Sequence, residues 1–196
     1  MEKKTTQNNK EQHFLQSQFL IAMPNLSDPY FEHTVTLICQ HNDEGCFGLT
    51  INRPIHVTLY ELLEQLNIPI KNDSIKGIQA LSGGPVQPEQ GFVIHDKQDK
   101  KWENTIKISD DLYVTASRDI LFDIAKNEGP ENFLLTLGCA SWVAGQMEAE
   151  VMNNSWLNCD ADKKIIFDTP YNERWHGAVE KLGIDAAFIS DVAGHD

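Results

Sequence analysis

The sequence has few arginines, and its charge is strongly biased toward one sign. Only three of its 16 basic residues are arginine, against 29 acidic residues, which gives a net charge of −13. Duplex binding depends on clustered cations that displace counterions from phosphates, and no basic stripe is present. The composition therefore argues against direct nucleic-acid binding and is typical of a soluble, acidic protein surface.

Long apolar runs are also missing. An early run, Phe19 to Met23, ends at Pro24 and is far shorter than the roughly 20 residues that a membrane-spanning helix needs. Residues 11–18 are mainly polar where a signal peptide would need an apolar region. We therefore expect no membrane association and a cytoplasmic location.

The cysteines are not spaced as a metal or redox motif. Cys39, Cys46, Cys139 and Cys159 include no Cys-x-x-Cys pair, so reduced and mostly buried thiols are expected. His41 between two of them could complete three metal ligands, but no fourth ligand is evident. The sequence predicts no metal site, no cofactor and no catalytic residue.

Chain length and composition predict one domain. The 196 residues, of which 41% are apolar, suffice for a single core. Residues 1–13 are polar, with almost no apolar side chain to bury, and are expected to form a disordered tail. Residues 14–196 are then the domain.

Apolar periodicity predicts an α+β fold with a mixed sheet and about four helices. Residues 34–40 and 47–52 form a hairpin around the turn at residues 42–45. Because both faces of this hairpin are apolar, it should lie inside the sheet. Thr58 and Glu61 form a capping box at a helix start.

The last third of the chain carries three further local predictions. A strand is expected to stop at Gly138, with Ser141 as the N-cap of the helix that follows. Residues 164–168 read as a strand, followed by a helix with Thr169 as N-cap and a stop at Gly183. Ser141 as a nucleophile is the alternative, but the sequence assigns no base to it.

Three polar motifs allow both a structural and a binding interpretation. Gly83 and Gly84 form either a tight turn or an anion-holding nest. Arg53 is expected to project from a strand end, where it forms an internal ion pair or recognises an anion. Arg174 has the same two interpretations.

Many short motifs follow one another along the chain from Phe19 to Asp196. They are Ala22–Pro24, Asp28–Pro29, Gly48–Pro54, Gly83–Val86, Gly91–His95, Ser117–Leu121, Leu137–Gly138, Trp142–Glu150, Asn154–Leu157, Phe167–Pro170, Arg174–Trp175, Leu182–Asp185 and Ala193–His195. Together these motifs resemble the YqgE/AlgH family of bacterial proteins.

The resemblance implies a strongly bent, partly barrel-like sheet, a cytosolic bacterial protein and a transcriptional-regulator label, with no catalytic residues to carry over. The candidate site consists of residues that match the family's polar and glycine positions: Asn52, Arg53, Gly83, Gly84, Gln146, Glu148, Arg174 and His195.

Three functions follow as hypotheses. The first is a non-enzymatic binding or regulatory module that acts through a protein or small-molecule partner. The second is an enzyme or binding protein for a small anionic metabolite, because the same arginines and glycines could hold an anion. The third, a DNA-binding regulator, follows from the family label alone and is disfavoured by the charge.

Overall fold

The computed structural model describes residues 15–184 except residues 25, 27, 97 and 98. Within them it contains ten strands, four α-helices, a 3₁₀ turn at Asp73–Gly77 and a π-helical turn at Lys164–Asp168. The strands are β1 (Gln18–Ala22), β2 (Val35–Asn42), β3 (Gly45–Thr50), β4 (Pro54–Thr58), β5 (Gln79–Ser82), β6 (Val86–Asp96), β7 (Thr105–Lys107), β8 (Leu112–Thr115), β9 (Phe133–Val143) and β10 (Trp156–Asp160). The helices are α1 (Leu59–Gln65), α2 (Asp119–Ala125), α3 (Gln146–Met152) and α4 (Arg174–Lys181).

The strands form one curled, mixed sheet. Its main path runs β10-β1-β2-β3-β9-β6-β8-β7, and β4 and β5 branch from it through β9. Only the β5–β9 pairing is parallel among the described strands; the others are antiparallel. The α+β class and the bent, half-barrel sheet are confirmed.

The sheet separates three apolar clusters. The largest includes Phe19, Leu37 and Ile94 together with α4, and a second lies beneath α1 and α2. The third includes Trp142 and Trp156 beside α3. Burying apolar area on both sides of the central strands is the main favourable contribution to such a fold.

Several local predictions are confirmed. β2 and β3 form the expected hairpin, and strands β1 and β9 flank it, so it lies inside the sheet. The Thr58 side chain accepts a hydrogen bond from the Glu61 N–H, and the Glu61 carboxylate accepts one from Thr58 N–H, which completes the capping box. Gly183, with φ of +72°, follows the end of α4 as expected.

The predicted corner at Gly138 is wrong. Strand β9 continues through Gly138 to Val143, and α3 begins only after Gly145. Ser141 is exposed within the strand, between buried Ala140 and Trp142, and it does not cap a helix. Pairing with β3 and β6 on the two edges of β9 extends the strand past the glycine, an interaction between distant segments that local periodicity does not reveal.

Two predictions near α4 are also wrong. Residues 164–168 form a π-helical turn rather than a strand, closed by the hydrogen bond from Thr169 N–H to the Lys164 carbonyl at 3.0 Å. Ile165 and Ile166 in this turn are buried in the core beside α4. Thr169 closes that turn, its hydroxyl donating to the Lys164 carbonyl at 3.1 Å, and so it does not cap α4. α4 begins at Arg174, after a turn in which Glu173 N–H bonds the Pro170 carbonyl.

The predicted disordered tail, residues 1–13, lies outside the described residues. The single-domain boundary at residue 14 stays a prediction.

Candidate functional site

The connection between β1 and β2 contains a tight, exposed segment, residues 28–33, which we call the 28–33 loop. Asp28 organises it: its side chain accepts a hydrogen bond from Tyr30 N–H at 2.8 Å. The Asp28 carbonyl accepts from the N–H groups of Phe31 and Glu32, both at 3.0 Å. Tyr30 is 59% exposed, and Asp28, Glu32 and His33 are exposed as well. The loop therefore has fixed backbone geometry while its polar side chains face solvent.

Arg53 and Asn52 hold this loop from the end of β3. The Arg53 guanidinium donates from Nη1 to the Pro29 carbonyl at 2.9 Å and from Nη2 to the Glu32 carbonyl at 2.8 Å. Asn52 Nδ2 donates to the His33 carbonyl at 2.8 Å, and its Oδ1 accepts from Val35 N–H at 2.8 Å. Arg53 thus folds back onto the loop and forms no ion pair with any described residue.

Arg174 hydrogen-bonds to the backbone just before Asn52 and Arg53. Its side chain is 2% exposed and donates from Nη1 to the Ile51 carbonyl and from Nε to the Thr169 carbonyl, the latter at 2.9 Å. The guanidinium lies 4.6 Å from the centre of the Tyr171 ring, a cation–π contact. Burial lowers the pKa of Arg174 to about 10, since the described residues provide no carboxylate partner. Arg174 is therefore a buried cation whose hydrogen bonds go to backbone carbonyls.

Trp175, the next residue, links α4 to the end of β1 and to the loop. Its indole N–H donates to the Ala22 carbonyl at 3.0 Å, at the end of β1. Its ring lies 5.2 Å from the His33 ring, at the far end of the loop. The first turn of α4 thus contacts the strand before the loop, the loop itself and the strand end that holds it.

Gly83 and Gly84 lie beside this assembly and connect it to the sheet. Gly83 N–H donates to the Leu137 carbonyl, and its own carbonyl accepts from Thr50 N–H. A Cβ on Gly83 would lie 2.2 Å from the Gly138 carbonyl oxygen, and one on Gly84 would lie 2.3 Å from the Cys139 carbonyl carbon. Close approach of neighbouring backbone therefore explains both glycines. An anion-binding nest is disfavoured, since the Gly83 N–H that it would use already donates to the Leu137 carbonyl.

Gln146 and Glu148 lie on α3, and neither forms a hydrogen bond with Asn52, Arg53 or Arg174 among the described residues. The Glu148 carboxylate is 3.1 Å from Nε2 of the buried His41, whose Nδ1 accepts from Leu15 N–H at 2.9 Å. Gln146 accepts from Val143 N–H and donates to Glu150 at 2.9 Å. The structure therefore gathers Asn52, Arg53 and Arg174, with the two glycines adjacent, but not these two residues.

His195 lies outside the described residues. For the rest, the assignment of these positions as a partner or ligand site stays a prediction.

A second support of the loop was missed by the sequence reasoning. Phe31 packs between Trp142 and Trp156, with ring centres 6.0 and 5.3 Å away. Glu150 Oε2 accepts hydrogen bonds from both indole N–H groups, at 3.1 and 2.8 Å. The usable signal was the need of two buried indoles for an acceptor, and a glutamate lies close to both in sequence.

In the described part of the chain, the cysteine thiols and Ser141 are not set up as nucleophiles. Burial raises the pKa of all four cysteine thiols, that of Cys46 to about 12, which disfavours the reactive thiolate. No cluster of three or more His, Cys, Asp or Glu side chains in the described part of the chain could hold a metal ion. Ser141 has no hydrogen bond to a histidine within the described ranges.

No helix among the described residues is long and apolar enough to cross a membrane.

Comparison with known proteins decides the family. The model of the AlgH-like family (DUF179) matches residues 19–187. The chain belongs to the AlgH-like family. It is 43% identical over 187 residues to a UPF0301 protein of Methylococcus capsulatus, covering 95% of this chain and 99% of that one. It is 47% identical over 177 residues to a UPF0301 protein of Azoarcus sp., covering 90% and 94%.

Solved structures carry the same fold. The solution structure of the AlgH protein from Pseudomonas aeruginosa aligns over 100% of both chains, with a TM-score of 0.77 and 40% identity. A crystal structure of a Corynebacterium diphtheriae protein aligns over 90% of this chain and 91% of that one, with a TM-score of 0.72 and 17% identity. The second likeness concerns the fold alone.

Proposed function

We propose that this AlgH-like chain is a non-enzymatic, cytoplasmic binding or regulatory module that presents the 28–33 loop to a protein partner. One observation supports the proposal most: the Asn52 and Arg53 side chains hydrogen-bond to the loop backbone and hold it in place, while Asp28, Tyr30 and Glu32 are exposed to solvent. Rigid scaffolds that position exposed loops are the usual way in which proteins build binding surfaces.

Two separate supports hold the loop. Arg53 and Asn52 fix its backbone carbonyls, while Phe31 anchors it in the tryptophan pair above Glu150. Ordering a residue costs about 1 to 2 kcal/mol of backbone entropy, so a loop fixed in advance loses less on binding. This pre-organisation supports recognition by the loop rather than a purely connecting role.

The surface chemistry favours a partner with a basic patch. The loop exposes the carboxylates of Asp28 and Glu32 around Tyr30, on a chain with a net charge of −13. Tyrosine is enriched at interface hot spots, and complementary charge raises association rates. The same charge disfavours DNA as the partner.

The competing proposal of an anion site at Arg53 and Arg174 has less support. Both guanidinium groups already donate to backbone carbonyls, and Arg174 is buried. An anion would have to displace those bonds before it could bind.

A quantitative pull-down from bacterial lysate tests the proposal. The double variant Tyr30→Ala/Glu32→Lys changes only exposed loop side chains, and we expect it to lose partners that the native chain captures. Met152→Ala, at an exposed apolar residue on α3, is the control and should keep them. If the double variant, still folded by circular dichroism, retains every partner, the loop is not the binding surface.

A further inference from the structure

A cavity of about 480 Å³ lies on the outer part of the sheet, where β6, β8 and β7 run side by side. Strand register aligns three of its lining side chains in one row. His95 on β6 pairs with Tyr113 on β8, and Tyr113 pairs with Lys107 on β7. The remaining lining residues are Asp99, Lys100, Lys101, Trp102 and Thr105.

Aromatic rings form one part of this cavity. The His95 and Tyr113 rings are nearly parallel, at 16°, with centres 5.8 Å apart. Trp102 meets His95 edge-on at 5.1 Å, and its indole N–H donates to Asp123 at 2.7 Å. His95 and Trp102 are buried, whereas Tyr113 is half-buried and lines the cavity.

Hydrogen bonds fix the His95 ring. Its Nδ1 lies 2.8 Å from the Asp96 carbonyl, and its Nε2 lies 2.9 Å from the Thr115 hydroxyl. A carbonyl only accepts, so Nδ1 carries the proton and Nε2 accepts from the hydroxyl when the ring is neutral. Both nitrogens are therefore satisfied, and the ring serves the cavity as a flat surface rather than as a base.

Lysines form the rim, in a chain that is otherwise strongly acidic. Lys100 pairs with Asp123 at 2.6 Å and Lys107 with Asp110 at 2.8 Å. Lys101 has no ion pair with any described residue, and Asp99 is the one carboxylate among the described lining residues. Lysine ammonium groups bind phosphate as point charges, and aromatic faces stack on planar rings.

We propose that this cavity binds a small aromatic phosphate of the size of a mononucleotide, with its ring against Tyr113 and its phosphate on Lys101. The site is separate from the 28–33 loop and does not depend on the function proposed for it. Stacking does not distinguish one base from another, so the four common nucleoside monophosphates should bind similarly. A nucleic-acid polymer is disfavoured because the net charge of −13 repels it.

Isothermal titration calorimetry at low salt tests the proposal with adenosine, guanosine, cytidine and uridine monophosphates as probes. We expect dissociation constants below about 1 mM for each. Inorganic phosphate alone and the nucleosides alone should bind at least about tenfold more weakly, since each offers only half of the contacts. Absence of binding by all four monophosphates, or equal binding by phosphate alone or by the nucleosides, would overturn the proposal.

Variants assign the two contacts. Lys101→Ala should weaken binding by about tenfold, and Tyr113→Leu, which keeps an apolar side chain but removes the aromatic face, by about tenfold as well. Tyr113→Phe should bind like the native chain. Lys71→Ala removes the same charge from an exposed position outside the lining residues and should leave binding unchanged. If Lys71→Ala weakens binding as much as Lys101→Ala does, only the general charge matters and the proposed site is wrong.

Discussion

Replacing Arg53 by alanine should loosen the 28–33 loop without unfolding the protein. The change removes two hydrogen bonds from a charged donor, to the Pro29 and Glu32 carbonyls. Because the site is partly exposed, each bond contributes about 1 kcal/mol to the stability of the closed loop, which gives about 2 kcal/mol in total. A loss of that size raises the population of the open loop by roughly 30-fold.

Amide hydrogen exchange followed by NMR measures that population directly. The N–H groups of Phe31, Glu32 and Thr34 bond within the loop, so their exchange should accelerate by roughly 30-fold in Arg53→Ala. Amides in the middle of β9 should change far less.

Arg118→Ala provides the matched control. Arg118 also donates to a backbone carbonyl, that of Leu66 at 3.2 Å, and it lies at the start of α2, outside the loop. Its loss should leave exchange in the loop unchanged. If the loop amides exchange equally fast in the native chain and in Arg53→Ala, Arg53 does not hold the loop closed.

Three further predictions concern stability, measured by urea unfolding. Gly84→Ala should destabilise the folded chain by about 3 kcal/mol or more, because φ at Gly84 is +149° and the new Cβ would clash with the backbone at Cys139. Gly77→Ala is the control: a Cβ there would meet open space, so stability should change by less than about 1 kcal/mol. Glu150→Ala leaves two buried indole N–H groups without an acceptor and should cost about 2 to 4 kcal/mol, with a smaller loss for Glu150→Gln. Burial lowers the pKa of His95 from its ordinary 6.5, so just below pH 6.5 the unfolded chain binds more protons than the folded chain does. The free energy of unfolding should therefore fall as the pH drops from 6.5 toward the lowered pKa. His95→Phe should reduce that slope; an unchanged slope would contradict the assignment.

Local signals in the sequence predicted the local structure well. The β2–β3 turn and the Thr58 capping box each depend on residues within a few positions of one another. The Gly138 corner failed because β9 is held by strands β3 and β6, which are distant in sequence. A glycine there reads as a stop, yet its φ of +74° is accommodated inside the long strand.

The candidate site was only partly accessible to the same reasoning. Asn52, Arg53 and Arg174 were selected as polar motif positions, and they do meet around the end of β3. Their hydrogen-bond partners are backbone groups, which nearly every residue has, so the sequence does not single them out. The partnership of His41 with Glu148 joins residues 107 positions apart, and no spacing rule reaches that far.

Site-specific photo-crosslinking in living cells tests the central claim most directly. With p-benzoylphenylalanine in place of Tyr30, the account predicts a discrete cross-linked protein that weakens when Arg53→Ala is added. The same group in place of Phe122, which is 41% exposed on α2, should give no such product. A cross-link from position 122 but none from position 30 would contradict the role of the 28–33 loop.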